Sequence, residues 1–408
     1  MYEYSQRTGE VKLEPKTYLL ALAIILLSTK LLGLATERVR MPQIVGALLA
    51  GLLLGPVGFG IIEQTDLLDQ LAELGVIFLM FHAGMETNFE DLKKTWRASI
   101  IIAILGVILP LIGGTLVFAV FFGIASHQEK LEAIFTGVVL TATSVSITVE
   151  ALREMGKLNT FVGSAILGAA IIDDILGIIV LTVVSGFADA SANIPFTFGK
   201  IALYIVFLPI VANIVSRFFK HTDQKRAYSK RTAIYLLAFA LFMAYVTETY
   251  FGIADITGAY FAGMMVCNIE RTREAVSQKI DITSYLLFSP VFFASIGLKT
   301  DLNGFSSRVA IFCCILLFVA IITKVIGCGI GAWKMGFNKQ DALCIGIGMV
   351  SRGEVALIVA QKGQAIGVLH ASLFPAVVLM VVVTTVLSPV LLRFAYGEKK
   401  ELSSCMKY

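Results

Sequence analysis

Charge is scarce in this chain. Only 15% of its 408 residues are charged, 57% are hydrophobic, and the net charge is +4. At this length, so little charge leaves more apolar surface than a water-soluble core could bury. The basic residues also form no single patch, which argues against nucleic-acid binding. The composition therefore predicts a polytopic protein whose partner is the lipid bilayer.

Metal-binding cysteine motifs and a secretory signal are also missing from the sequence. The six cysteines show no ligand spacing, and we interpret them as small buried hydrophobes without disulfides. Residues 1–16 mix both charge signs and lack the order of a signal sequence, so the first apolar run is expected to remain as a membrane helix. No resident cofactor is expected.

Apolar runs long enough to cross about 30 Å of hydrocarbon recur along the whole chain. We count thirteen, which predicts an all-α polytopic membrane protein. The runs lie near 17–36, 41–61, 67–86, 97–123, 131–152, 160–187, 197–217, 231–252, 254–269, 281–298, 306–333, 338–364 and 370–395.

The lysines and arginines predict how the chain is oriented. With thirteen spans, alternate loops lie on opposite sides, and one set of loops holds about two thirds of the 33 basic residues. Cytoplasmic loops carry the excess of lysine and arginine. We therefore expect the N-terminus outside and the C-terminus in the cytoplasm, across the cell (inner or plasma) membrane.

An internal repeat relates the two halves of the chain. The Gly-x4-Gly pattern of 46–51 recurs at 258–263, and the run GMET at 84–87 recurs as GLKT at 297–300, at nearly the same offset. The copies are seven spans apart, so they would cross the membrane in opposite directions, as in inverted-repeat transporters. Chance similarity of Gly-rich apolar segments is the alternative.

This repeat divides the chain into five parts. Residues 1–16 form an outer N-terminal arm, and 17–187 form the first repeat of six spans. Residues 188–230 supply the linking seventh span and a basic cytoplasmic loop, 231–396 form the second six-span repeat, and 397–408 form a cytoplasmic tail.

Polar residues interrupt two spans at corresponding places in the halves. The fifth span contains TATSVSIT at 141–148, and the twelfth contains GMVSRGE at 348–354. Hydroxyls that bond back to their own helix are one interpretation. Matched interruptions favour the other, two unwound segments that face a cavity. The candidate residues that support these breaks are Thr141, Thr143, Ser144, Ser146, Arg352 and Glu354.

Breaks of this kind place partly charged helix ends in the middle of the membrane. Arg352 and Glu354 are positioned to act as counter-charges at the second break. A mutual ion pair between the two residues is the alternative.

Two adjacent carboxylates, Asp173 and Asp174, lie inside the apolar run 161–180. A charge at the bilayer centre costs about 2.5 to 3.5 kcal/mol on insertion scales, so the pair implies a partner, a water-filled path or a bound cation. Neighbouring residues on a helix point about 100° apart and cannot share one partner. Lys324, in the eleventh span, is the preferred partner of one aspartate, and a purely structural salt bridge is the alternative.

Other ionisable residues carry less information. Glu150 and Arg153 are expected to pair at i, i+3 near the end of the fifth span. Glu248 and Asp255 are placed at the outer mouth, where they attract cations or are plain loop charges. His82 is read as a packing residue in preference to a pH sensor.

Four features together resemble the monovalent cation:proton antiporter superfamily, in particular bacterial Na⁺/H⁺ antiporters of the NapA type. They are TATSVSIT from Thr141, IIDDILG from Ile171, Lys324, and GMVSRGEVALIVA from Gly348. The resemblance covers essentially the whole chain. It implies thirteen helices in inverted six-helix repeats, crossed broken fifth and twelfth helices, an elevator-like core domain and a homodimer.

The resemblance also implies roles for single residues. Asp174 corresponds to the ion-binding residue and Asp173 to the partner of Lys324. Apart from the resemblance, Thr143 and Ser144 are candidate further cation ligands, because hydroxyl oxygens suit a hard cation such as Na⁺. An aspartate pair goes with electrogenic exchange. We therefore expect an electrogenic sodium (or lithium)/proton antiporter, not an enzyme, whose small partners are the transported cation and proton. A potassium/proton antiporter or K⁺ efflux module of the Kef type is the alternative.

Overall fold

The computed structural model describes residues 17–38, 41–87, 89–188, 194–226, 230–267, 270–300, 307–370 and 373–397. The regular elements in these ranges are helices. They are α1 (Thr17–Arg38), α2 (Gln43–Leu54), α3 (Asp66–Glu86), α4 (Phe89–Phe122), α5 (His127–Thr141), α6 (Val145–Glu154), α7 (Phe161–Ala188), α8 (Ile194–Arg226), α9 (Lys230–Val246), α10 (Asp255–Val266), α11 (Glu270–Thr283), α12 (Ser289–Leu298), α13 (Ser307–Lys334), α14 (Lys339–Gly348), α15 (Glu354–Ala365) and α16 (Phe374–Tyr396). The π-helical turns Thr247–Phe251 and Ser284–Phe288 continue α9 and join α11 to α12.

The all-α, multi-pass class is confirmed. Within the described ranges, ten helical segments are long and apolar enough to cross a membrane. The second, ninth and twelfth predicted spans are missing from that set, because α2 and α10 have 12 residues each and the twelfth span is split into α14 and α15. Twelve residues of helix rise only about 18 Å. Helix length therefore leaves the count of thirteen unconfirmed.

The second span is shorter than its apolar sequence predicts. The run near 41–61 is apolar to its end, but α2 stops at Leu54. Gly55 and Pro56 follow. A proline disfavours helical backbone at the residue before it and has no N–H to continue the helix, so the remaining apolar residues form turns.

The helices pack into two bundles. The scaffold bundle contains α1, α2, α3, α9, α10, α11 and α12, and the site bundle contains α4 to α7 and α13 to α16. Helix α8 contacts both, through α7 and α10. Each bundle takes helices from both predicted repeats, which is what an inverted repeat would produce. The predicted division into parts stays a prediction, and the arm at 1–16 lies outside the described residues.

Glycines make the close helix crossings of the scaffold bundle. A Cβ on Gly51 would lie 2.0 Å from a backbone oxygen of α12, and a Cβ on Gly297 would lie 2.3 Å from a backbone nitrogen of α2. Where α3 crosses α10, a Cβ on Gly84 would lie 2.2 Å from a backbone oxygen, and one on Gly263 2.1 Å from another. In the predicted repeat, Gly51 corresponds to Gly263 and Gly297 to Gly84. The two crossings are therefore equivalent, which fits the repeat.

The bundles expose large apolar side chains on their outer helices. On α1, Leu20 and Leu27 are more than half exposed, as are Ile214 on α8 and Phe318 on α13. Apolar surface of this extent is unfavourable in water and favourable against lipid or a partner helix. The outer surface therefore has the character of a membrane protein.

Substituting Gly84 with alanine tests the importance of the α3–α10 crossing. We expect Gly84→Ala to lower stability by about 1 to 3 kcal/mol, because the added methyl group must push two backbones apart. Gly199→Ala is the matched control, since a Cβ at this helical glycine meets nothing within 4 Å and alanine stabilises helices by about 0.5 to 1 kcal/mol. Thermal unfolding in detergent measures both, and equal midpoints for the two variants would contradict the packing argument.

Candidate functional site

The two polar interruptions are breaks in helices. Helix α5 ends at Thr141 and α6 begins at Val145, while α14 ends at Gly348 and α15 begins at Glu354. The expected unwound segments are therefore present. All four half-helices belong to the site bundle.

The two breaks bind each other. The backbone N–H of Ser144 donates to the carbonyl oxygen of Ser351 at 2.8 Å, and the Ser351 hydroxyl donates back to the Ser144 carbonyl oxygen at 3.0 Å. The Thr148 hydroxyl donates to the Gly348 carbonyl oxygen at 2.7 Å. These bonds satisfy backbone groups that unwinding frees, which a segment at membrane depth requires.

Arg352 lies fully buried between the breaks. Its guanidinium donates to the carbonyl oxygen of Ala142, directly after the last residue of α5, and to that of Ala320 at 3.3 Å. A helix C-terminus carries partial negative charge, so the arginine neutralises this end of α5. This geometry fits the counter-charge interpretation of Arg352. Glu354 begins α15, where a negative charge would be favourable, but its side chain lies outside the described residues.

The paired carboxylates have different neighbours. On α7, Asp173 is 2% exposed, and the Lys324 ammonium of α13 donates to its Oδ1 at 2.9 Å. The expected pairing of Lys324 with one aspartate is therefore present. Asp174 faces the scaffold bundle, where the Thr257 hydroxyl of α10 donates to its Oδ2 at 3.3 Å. The helical offset between adjacent residues accounts for this division.

A cavity of about 630 Å³ leads from the carboxylates to the protein surface. Asp173 and Asp174 line its deep end, together with Thr141 at the end of α5. Its other end reaches exposed side chains, among them Glu73. Asp174 is thus 8% exposed yet lies on a path that solvent can enter.

Three carboxylates gather at the mouth of this cavity. The ligand oxygens of Glu73, Glu248 and Asp255 all lie within 4.8 Å of one another. Their negative potential raises the local concentration of cations. Sequence reasoning placed Glu248 and Asp255 at a mouth but missed Glu73, since an acidic residue near the start of a helix is ordinary.

The hydroxyl residues of the first break differ in their surroundings. Thr141 lines the cavity. Thr143, Ser144 and Ser146 are not among the described residues that line it. Ser144 and Ser146 share a hydrogen bond of 3.2 Å between their hydroxyls. The Thr143 hydroxyl is buried without a hydrogen-bond partner in the described part of the chain.

Ionic contacts join the two bundles at the opposite end of their interface. Arg153 of α6 contacts Asp281 of α11, lies 3.8 Å from the Glu86 carboxylate of α3, and pairs with Glu150 at 3.4 Å as the i, i+3 spacing predicts. Nearby, the buried His82 ring lies 3.1 Å from the Glu86 carboxylate.

Glu154 adds a second contact at this end. Its carboxylate accepts from the backbone N–H groups of Gln43 at 2.6 Å and Ile44 at 3.1 Å, at the N-terminus of α2. A carboxylate at a helix N-terminus is favourable, so α6 is attached to the scaffold bundle here. The bundles are therefore joined by polar contacts at this end, beside a smaller pocket of about 310 Å³ that Glu150 and Glu154 line.

The sequence matches a known protein family over most of its length. Residues 22–395 match the model of the family described as "Sodium/hydrogen exchanger, transmembrane". The chain belongs to the sodium/hydrogen exchanger family. This family consists of transporters, so the multi-pass architecture, the buried aspartates and the cavity belong to a transport protein.

Individual relatives are similar in sequence to this chain over nearly their full lengths. The Na⁺/H⁺-K⁺ antiporter GerN of Bacillus cereus is 36% identical over 391 residues, which is 95% of this chain and 98% of GerN. The Na⁺/H⁺ antiporter of Enterococcus hirae is 35% identical, covering 91% of this chain and 96% of the relative. The fold matches that of the sodium proton antiporter MjNhaP1 from Methanocaldococcus jannaschii with a TM-score of 0.69, at 18% identity over 94% of this chain and 100% of that one.

Removing Lys324 tests the buried ion pair. We expect Lys324→Ala to cost about 3 to 5 kcal/mol of stability, because Asp173 is left buried without its cation. The matched control is Lys299→Ala, which removes an exposed pair with Asp69 and should cost about 0 to 1 kcal/mol. Thermal unfolding in detergent provides the readout. The double variant Lys324→Ala/Asp173→Ala should recover part of the loss, and additive losses would argue against direct coupling.

Proposed function

We propose that this chain exchanges Na⁺ or Li⁺ for protons at Asp174, by alternating access with net charge movement. One observation carries the proposal. Asp174 lies at the deep end of a cavity that reaches solvent, while the charge of its neighbour Asp173 is balanced by Lys324. A carboxylate that lines such a cavity has room to bind a small cation or a proton.

Competition at Asp174 couples the two fluxes. A carboxylate that binds a proton loses the charge that attracts a metal ion, so the site holds one or the other. Exchange follows when the loaded site faces each side of the membrane in turn. The family and the names of its relatives support this choice of ions.

Net charge movement requires unequal numbers of protons and cations per cycle. A second proton-carrying group must then lie beside Asp174. The buried Asp173–Lys324 pair is adjacent in sequence and lines the same cavity through Asp173, which supports electrogenic exchange.

Oxygen ligands for a hard cation are available near Asp174. Sodium prefers carboxylate, hydroxyl and carbonyl oxygens, and the break after α5 offers all but the carboxylate. We propose Asp174, Thr143 and Ser144 as cation ligands. The Thr143 hydroxyl supports this assignment, since it is buried without a hydrogen-bond partner in the described residues.

The charge pattern of the loops orients the proposed transporter. With the N-terminus outside and the C-terminus in the cytoplasm of a plasma-membrane protein, Glu248 and Asp255 lie on the outer side. The cavity is then open to the outside, and the contacts of Arg153 and Glu154 join the bundles on the cytoplasmic side. An elevator-like movement of the site bundle would break these contacts, and the exposed apolar face of α1 supports a homodimer held by the scaffold bundle.

Reconstituted protein tests the assignment of Asp174. Under an imposed pH gradient in proteoliposomes, we expect Na⁺-dependent proton movement that responds to membrane potential. Asp174→Asn should abolish it, because an amide cannot bind a proton or hold a cation by charge. Asp173→Asn should slow exchange by at least about tenfold, a barrier change of about 1.4 kcal/mol.

Asp341→Asn provides the control for these variants. Asp341 lies in the first turn of α14, where it contacts Asn338, and its replacement should leave exchange unchanged. Exchange at the parental rate in purified Asp174→Asn would overturn the site assignment.

Potassium is a second candidate cation, since the relative GerN is named a Na⁺/H⁺-K⁺ antiporter. Replacing Na⁺ by K⁺ in the same assay distinguishes the two. Proton movement with K⁺ in the absence of Na⁺ and Li⁺ would favour the potassium/proton or K⁺ efflux alternative, and steady flux faster than a carrier cycle would favour the latter.

A further inference from the structure

One hydrogen bond to the proposed ion-binding carboxylate comes from the other bundle. Thr257 is 2% exposed, lies in the first turn of α10, and donates through its hydroxyl to Asp174 Oδ2 at 3.3 Å. Asp174 belongs to α7 of the site bundle, and α10 belongs to the scaffold bundle. The bond therefore joins the two bodies that would move relative to each other.

The backbone around Thr257 is held tightly within the scaffold bundle. A Cβ on the next residue, Gly258, would lie 2.5 Å from the carbonyl oxygen of Met243 in α9. Farther along α10, Gly263 lies in close contact with α3. With α10 packed closely on both sides, Thr257 has a fixed position in the scaffold.

The oxygens of the first helix break differ from the Thr257 hydroxyl in the bundle to which they belong. Thr141, Thr143 and Ser144 lie in the same bundle as Asp174 and would move with it. Thr257 would stay behind when the site bundle moves. A ligand that travels with the ion must come from the first group, whereas Thr257 can contact Asp174 in one arrangement of the bundles.

We propose that Thr257 is a positioning residue that holds the empty, ionised Asp174 against the scaffold and so prevents the site bundle from crossing unloaded. The proposal rests on the function proposed above for Asp174. A hydrogen bond to an ionised carboxylate is roughly twice as strong as one between neutral groups. A bound proton or cation reduces the charge on Asp174, weakens the bond, and releases the loaded bundle.

An exchanger depends on this difference between the loaded and empty states. If the empty site crosses freely, Na⁺ moves down its own gradient and the proton gradient does no work. The Thr257 bond adds a barrier to the empty crossing and not to the loaded ones. It therefore acts on the coupling of the two fluxes.

Thr257→Val removes the donor with little change in volume, and the readout is the ratio of proton flux to Na⁺ flux in proteoliposomes. We expect Na⁺ movement without proton counter-movement to rise by about tenfold, the factor for losing one hydrogen bond to a charged group. The apparent KM for Na⁺ should also fall, because the hydroxyl no longer occupies Asp174. Thr257→Ser, which keeps the hydroxyl, should restore the parental ratio.

Thr29→Val is the matched control. Thr29 is buried in α1 of the scaffold bundle, and its hydroxyl donates to the Ile25 carbonyl oxygen of its own helix at 2.7 Å. Its replacement should leave the flux ratio unchanged. If Thr257→Val does not fold, Thr257→Ala provides the variant that lacks the donor.

Two results would overturn the inference. An unchanged flux ratio in the folded variants without the hydroxyl would exclude a role in coupling. A raised KM for Na⁺ with intact coupling would make Thr257 a cation ligand instead. The proposed function itself is tested by a separate experiment, and it would fail if exchange survived in the Asp174→Asn variant.

Discussion

The buried ion pair between Asp173 and Lys324 is the interaction on which the site depends. It places opposite charges 2.9 Å apart in the interior of the protein, where both side chains are buried and each stabilises the other. The pair also joins α7 to α13, which come from different predicted repeats. With the charge of Asp173 balanced, Asp174 is left to face the cavity and the scaffold.

The broken helices extend the same principle to the backbone. Arg352 balances the end of α5, and the bonds between Ser144 and Ser351 satisfy backbone groups that unwinding exposes. A polar centre is thus assembled inside a membrane domain from groups that compensate one another. The Thr143 hydroxyl of the first break has no hydrogen-bond partner within the described residues.

The sequence predicted those parts of the structure that have a strong local signal. Charges and hydroxyls inside apolar runs located the aspartates, Lys324 and both breaks, because such residues are costly in lipid and therefore conspicuous. Span lengths were less predictable, since apolar composition does not reveal that α2 ends before Pro56. Thr257 and Glu73 gave no signal, because their importance arises from the packing of α10 and α3 around the site.

The division of each bundle between the two halves of the chain has a consequence for biogenesis. Helix α7 is synthesised well before α13, so Asp173 enters the membrane while its partner does not yet exist. The nascent protein must pass through a stage in which this acid is shielded by water, by the insertion machinery or by protonation.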